Sequence, residues 1–187
     1  MLQLAIAICV KKIRKLWYGY KNNEEKILEL KIEQFNKLGG KCGKNFKFYC
    51  EMPGEPCLVE IGDNVTIAYD TALLTHDNSV IKCDLDVTDY FGKIKIGNSC
   101  FIGAKSIILP GVTLGDHTIV GSGSVVTKSF REGNVVIAGN PARKICDFED
   151  FKNKKKRISI NMDYGHRRQR KIEFLASLPD DMLEQKN

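Results

Sequence analysis

Residues 96–126 read IGNSCFIGAKSIILPGVTLGDHTIVGSGSVV. Ile96, Ile102, Ile108, Leu114, Val120 and Val126 stand in it at unbroken steps of six, usually followed by Gly or another small residue. The fifth place of each unit holds Cys100, Ser106, Val112, Thr118 or Ser124, all small or β-branched. A period of six fits neither an amphipathic helix nor a long alternating strand, but it suits short strands separated by tight corners. If three such sides close one turn of a coil, the leading aliphatic residues of successive coils stack inside at the strand spacing of roughly 4.8 Å. The small fifth residues then fill the rest of the interior. Glycines near the corners, Gly97, Gly103, Gly115 and Gly121, are expected there for backbone angles that other residues resist. The expected fold is an all-β core built as a parallel β-helix.

Upstream the same frame returns as IGDNVT, IAYDTA and LLTHDN, keyed on Ile61, Ile67 and Leu73. From Leu73 to Ile96 is 23 positions, which is not a multiple of six, so the coil is interrupted. Residues 77–93 are expected to leave the coil as an extruded loop, and long loops on a rigid solenoid are where specificity resides. His76, one of only three histidines in the chain, stands at the root of that loop on the scaffold.

The flanks differ in character. Residues 1–40 form an N-terminal helical segment, residues 41–146 the β-helix, and residues 147–187 a C-terminal helical, basic tail. In MLQLAIAICVKKIRKLWYGY the apolar run is too short to cross a bilayer, and its basic cluster follows the apolar part, as in neither a signal peptide nor a span. Its amphipathic pattern leaves two readings, a helix packed on protein or an interfacial helix, giving residues 1–20 a weak membrane-surface contact. A second helix covers residues 23–38 and ends at Gly39-Gly40. The tail carries KNKKKR and HRRQRK, yet from Asp147 onward Lys and Arg number 10 against 8 Asp and Glu, without an aromatic platform. No nucleic-acid partner is expected, and a solvated face or a positive rim for polyphosphate ligands is the better reading.

The whole chain of 187 residues, 43% hydrophobic and with a net charge of +6, is long enough for one domain with a real core. Its 7 cysteines are odd in number and lack a C-x-x-C pair. Reduced thiols in a cytoplasm are the expected state, with peripheral placement at the inner membrane face as the variant that an interfacial helix would bring.

IGDN at 61–64, the run IGAKSIILPGVTLGDHTIVGSGSVVTKSF at 102–130 and GNPAR at 139–143 resemble the hexapeptide-repeat acetyltransferases, in the branch that modifies maltose, galactosides and polysaccharides. The resemblance covers roughly residues 58–146. It implies a left-handed β-helix, a triangular prism, assembled as a homotrimer. It also implies direct transfer of an acetyl group from acetyl-CoA to an acceptor, with no acyl-enzyme and no metal. THDN is closest to the polysaccharide-modifying members, and T-H-[DP] at the loop root is where that branch carries its catalytic histidine. The chemistry agrees, because a neutral sugar hydroxyl is a poor nucleophile and an imidazole titrating near neutrality suits the base. The plain alternative is a histidine that only caps a loop.

By the same correspondence the backbone N–H of Ala104 meets the thioester carbonyl, backbone at Ser122 contacts pantetheine, and Lys128 and Arg143 lie near the phosphates and nucleotide. Phe101 stands where close relatives carry Trp, at the edge of the acyl pocket. Asp77 either orients the imidazole, binds acceptor hydroxyls or faces water. The Asn that some relatives place near the histidine has no counterpart in NFKFYCEMPGEPCLVE, and Asn45 receives no role. His117 reads as a solvated turn residue and His166 as a surface residue of the tail.

The leading expectation is an acetyl-CoA-dependent O-acetyltransferase acting on a sugar or glycan in surface polysaccharide biosynthesis (capsule, O-antigen or exopolysaccharide). N-acetylation of an amino sugar, free or nucleotide-linked, is its variant, and a non-catalytic trimeric β-helix binding module is the rival of a different class. A metal-dependent hydratase is disfavoured, since His76, His117 and His166 do not form a plausible ligand cluster.

Overall fold

A computed structural model describes residues 24–83, 86–156, 159 and 176–177. The expectations for residues 1–20, for His166 and for most of the basic tail fall outside these.

Strands β3 (Val59–Ile61), β4 (Thr66–Ile67), β5 (Ala72–Leu73), β8 (Ile94–Ile96), β9 (Phe101–Ile102), β10 (Ile107–Ile108), β11 (Thr113–Leu114), β12 (Thr118–Val120) and β13 (Val125–Val126) build the repeat. In chain order they visit three sheets in rotation: β3, β8 and β11 in the first, β4, β9 and β12 in the second, β5, β10 and β13 in the third. All pair in parallel. A chain that returns to the same parallel sheet after three short sides is a β-helix coil. Each lead residue lies opposite the next: Ile61, Ile96 and Leu114; Ile67, Ile102 and Val120; Leu73, Ile108 and Val126. Every one of these is buried, and so are the fifth residues Val65, Thr71, Cys100, Ser106, Val112, Thr118 and Ser124. The interior polar groups are satisfied: Thr71 Oγ1 donates to the Gly103 carbonyl at 3.2 Å and Thr118 Oγ1 to the Gly115 carbonyl at 2.7 Å.

The coil begins before its first legible repeat. Strands β1 (Lys41–Cys42) and β2 (Lys47–Phe48) put Cys42 opposite Ile61 and Phe48 opposite Ile67. The third side of this first coil carries no strand; residues 49–58 run there instead and end in a 3-10 turn, Pro56–Leu58. Helix α1 (Glu24–Lys37) closes this end by burying Phe35 against the rings of Phe46 and Phe48, with centroids at 6.2 and 5.5 Å. Gly40 is required by that packing, since a Cβ there would sit 2.5 Å from the Phe35 ring. At the other end β14 (Val135–Gly139) adds to the second sheet, and β15 (Ala142–Asp147) folds back antiparallel on it. The GNPAR stretch is the turn of this hairpin, where the parallel coil stops. Helix α2 (Phe148–Lys156) follows.

The corner glycines have a different cause from the expected one. Gly97, Gly103, Gly115 and Gly121 do not take positive φ; that conformation falls two residues later, at Ser99, Lys105, His117 and Gly123. The glycines are needed because coils stack closely: a Cβ on Gly97 would come within 2.4 Å of Asp116 Oδ1, and one on Gly103 within 2.5 Å of the Ser122 nitrogen.

The interruption after Leu73 is a stem. Strands β6 (His76–Asp77) and β7 (Tyr90–Phe91) pair antiparallel, His76 opposite Phe91. The Gly92 N–H donates to the Thr75 carbonyl at 2.9 Å, so the loop returns to the scaffold where it left. Among the described residues, no helix is long and apolar enough to cross a membrane.

Candidate active site

His76 follows the inward-facing, fully buried Thr75 at the edge where the third sheet hands over to the loop, and its side chain is 43% exposed. Two structures hold its ring. On the loop side Phe91 packs beside it, centroids 5.8 Å apart. On the other side lies the segment that replaces the missing strand of the first coil: Glu55 Oε2 is 2.8 Å from His76 Nδ1. The same carboxylate oxygen accepts from Thr75 Oγ1 at 2.5 Å, and that hydroxyl accepts from the Glu55 N–H at 3.2 Å. The hydrogen bond and charge of Glu55 raise the imidazole pKa, with smaller support from Asp89 and Asp77 against desolvation. Glu55 is itself held below the usual carboxylate range, first by the Thr75 hydroxyl and then by His76. An ionised carboxylate only accepts, so the neutral imidazole carries its proton on Nδ1 and leaves Nε2 as the acceptor.

Among the described residues, the imidazole makes its hydrogen bond to Glu55 and not to Asp77. Asp77 Oδ1 accepts from the Ser79 N–H at 2.7 Å and its Oδ2 from the Tyr90 hydroxyl at 3.2 Å, bonds that lower its pKa and brace the loop stem. The hydrogen bond to the imidazole is made by Glu55, a residue that sequence reasoning passed over. The only signal was indirect: CEMPGEP breaks the period just where a third side should stand. Asn45 stays at a corner between the first and second sheets, donating to Asn64 Oδ1 at 2.7 Å.

A cleft of about 380 Å³ lies along the third sheet beside the histidine, lined by Glu51, Met52, Gly54, Asp70 and Leu74 among others. Gly54 connects the two, since a Cβ on it would be 3.3 Å from His76 Cε1.

The remaining expected residues fall into two groups. Ala104 and Ser122 occupy successive coils on the edge between the second and third sheets, where the Gly123 N–H donates to the Ala104 carbonyl at 2.8 Å. The hairpin turn caps the same edge through the Gly139 N–H to Ser124 Oγ at 3.1 Å, and Arg143, opposite Ala138 in the hairpin, is exposed beside it. Phe101 lies on the outer face of the second sheet, 45% exposed between Thr66 and Ile119. Lys128 is on the other edge, the one that carries His76, two coils further along, with Nζ 5.6 Å above the Phe130 ring. The third sheet therefore separates His76 from Ala104 and Ser122, and a six-residue side spans on the order of 15 to 20 Å at the strand rise of roughly 3.3 Å per residue. His117 is a turn residue, at φ 55°, but it is half-buried rather than solvated, its ring 5.2 Å from that of Phe148. Among the described residues no group of three His, Cys, Asp or Glu side chains could hold a metal ion.

Residues 93–128 match the family described as bacterial transferase hexapeptide (six repeats). Over 141 residues the chain is 42% identical to Protein CapG of Staphylococcus aureus, covering 72% of this chain and 80% of CapG. The chain belongs to the hexapeptide-repeat acetyltransferase family. It is an acyltransferase. It is also 42% identical over 93 residues to the galactoside O-acetyltransferase of Escherichia coli (strain K12), though this spans only 49% of the chain and 45% of that relative. Among solved structures it is similar to a galactoside acetyltransferase in complex with coenzyme A, at a TM-score of 0.54 and 34% identity over 69% of this chain and 63% of that one. A maltose O-acetyltransferase from Clostridium difficile 630 has a TM-score of 0.52 and 36% identity over 58% of this chain and 59% of its own.

Proposed function

We propose that this acyltransferase moves an acetyl group from acetyl-CoA to a sugar hydroxyl, in the building of a surface polysaccharide, with His76 as general base. The observation that carries the reading is the imidazole itself: half exposed at the loop root, beside a cleft, with Nδ1 engaged by a carboxylate and Nε2 left to accept a proton. The acceptor hydroxyl gives its proton to Nε2 as its oxygen attacks the thioester carbonyl. The C–S bond then breaks, and the proton passes to the departing thiolate as free CoA leaves. The Ala104 N–H steadies charge on the carbonyl oxygen. Backbone at Ser122 meets the pantetheine arm, and Lys128 and Arg143 the phosphates. Phe101 flanks the acyl pocket, and Asp77 serves the acceptor side through the loop it braces.

A base must stand within hydrogen-bond reach of the proton it takes. His76 and Ala104 of one chain lie on different edges, so the reading requires that the site be completed between two copies. A homotrimer of left-handed coils meets that requirement. A likeness to a coenzyme A complex and to galactoside and maltose O-acetyltransferases supports the donor and the acceptor class. The polysaccharide assignment rests on THDN.

The test is release of free thiol from acetyl-CoA across a panel of sugars, amino sugars and nucleotide sugars, run beside His76→Ala. The variant should lose at least about a hundredfold in kcat, the size of a general-base contribution. Near-normal turnover in His76→Ala overturns the mechanism, and silence with every donor and acceptor favours a binding module.

A further inference from the structure

We propose that Glu55 is the positioning residue of His76, held in place by Thr75, so that the three side chains work as one unit. The inference rests on the reading of His76 as the base, and adds a role for a residue outside the repeat.

The geometry starts from a defect in the coil. Because the first coil has no third strand, residues 49–58 cross that side as irregular chain. Such a segment would be a poor platform unless it were pinned, and it is. Cys50, Pro53 and Pro56 are buried, and Lys31 Nζ donates to the Cys50 carbonyl. Pro53 and Pro56 also restrict the backbone on either side of Glu55.

The side chains are then tied in a closed set. Thr75, 1% exposed, both accepts from the Glu55 N–H and donates to Glu55 Oε2, so its hydroxyl has one orientation. That oxygen also faces His76 Nδ1 at 2.8 Å. Gly54 lies against the ring, where a Cβ would sit slightly tight to Cε1 at 3.3 Å and in ordinary contact with Nδ1 at 3.5 Å, and Phe91 closes the other side. An adventitious surface ion pair, worth close to nothing, has no such enclosure.

The chemistry follows from the tautomer. With Nδ1–H committed to Glu55, the lone pair sits on Nε2, and the imidazolium formed when Nε2 takes the acceptor proton is stabilised by the carboxylate. Glu55 stays ionised throughout, and no proton is gained or lost by the unit over a turnover. The charged groups facing the imidazole are Glu55 from the first coil, Asp77 on its own strand and Asp89 on the returning arm of the loop. Among the described residues Glu55 alone makes a hydrogen bond to it.

The experiment compares the full chain with Glu55→Gln and Glu55→Asp, each checked for fold by circular dichroism. Nitrogen NMR of the histidines reads tautomer and titration without any substrate, with His76→Ala assigning the signal. Glu55→Gln should lower the His76 pKa and weaken the Nδ1–H tautomer. It should cut kcat by at least roughly tenfold with KM for acetyl-CoA unchanged, the lower end of the scale on which a partner that orients an imidazole acts. The acid limb of the rate profile should move to lower pH, and Glu55→Asp should recover part of the rate. An unchanged His76 titration and tautomer in a folded Glu55→Gln overturns the positioning role alone. Full turnover in His76→Ala overturns the base assignment beneath it.

Discussion

Strand β10 carries two isoleucines in succession, and they offer a sharp test of the coil. Ile108 points inward, fully buried between Leu73 and Val126, whereas Ile107 faces outward, half-buried between Ala72 and Val125. Replacing Ile108 by Ala removes roughly three carbon groups at about 0.8 kcal/mol each. A cavity term is added, because the hydrogen-bonded spacing of the rungs above and below resists collapse. The expected loss is about 3 to 4 kcal/mol, inside the usual range of roughly 2 to 5 for a buried aliphatic cut to alanine. Ile107→Ala should cost about 1 kcal/mol, since much of that side chain still meets water. Urea unfolding followed by far-UV circular dichroism, at one protein concentration because assembly contributes, measures both. With a slope of about 2 kcal/mol per molar, the midpoint should fall by roughly 1.5 to 2 M for Ile108→Ala and by about 0.5 M for Ile107→Ala. Equal losses at unchanged oligomeric mass would refute the inward and outward assignment of the strand.

The corner glycines predict a second contrast. Gly103→Ala forces a Cβ to within 2.5 Å of the Ser122 nitrogen and 2.7 Å of the Val120 carbonyl oxygen, and should cost about 2 to 3 kcal/mol. Gly123→Ala, at φ 72° but with nothing within 4 Å, should cost only about 1 to 2 kcal/mol; thermal melts that rank the two the other way contradict the stacking account. On the first sheet Glu60 serves Lys93 at 2.8 Å, Lys95 at 3.3 Å and Lys41 at 3.6 Å, chiefly Lys93, and its pKa falls from 4.5 to about 2. Because the folded value is the lower one, its stabilising effect is present above pH 4.5 and is lost as the pH drops toward 2. The stability gap between the wild type and Glu60→Gln should therefore close on acidification and also shrink in high salt; a gap that widens in acid rules this out.

Much of the fold was legible because in a coil the local pattern is also the global one. Ile96, Ile102 and Ile108 announce their own packing: each is followed six positions later by the next side, and by its own stacking partner one coil on. The loop at 77–93 showed itself as a break in frame. What escaped was whatever the period does not encode. Cys42 and Phe48 belong to the first coil, yet they mark only two sides before the irregular chain at 49–58, too little for a period to register. The reason for Gly103 was misread because a corner's φ and its clearance from the next coil both select glycine, and only stacked coils distinguish them. Glu55 sits in a side that is not a strand, so no spacing marks it.

The sequence by itself determined a parallel coil, its inward residues and a histidine at the root of its loop, because a period of six is a local property that each coil repeats. Tertiary structure alone decided what stands around that histidine. Glu55, Thr75 and Phe91 reach it from different parts of the chain, and Ala104 and Ser122, proposed to meet the donor, fall on another edge. These are contacts between positions that no periodicity relates, fixed only when helix α1 closes the first coil and the loop folds back on its stem.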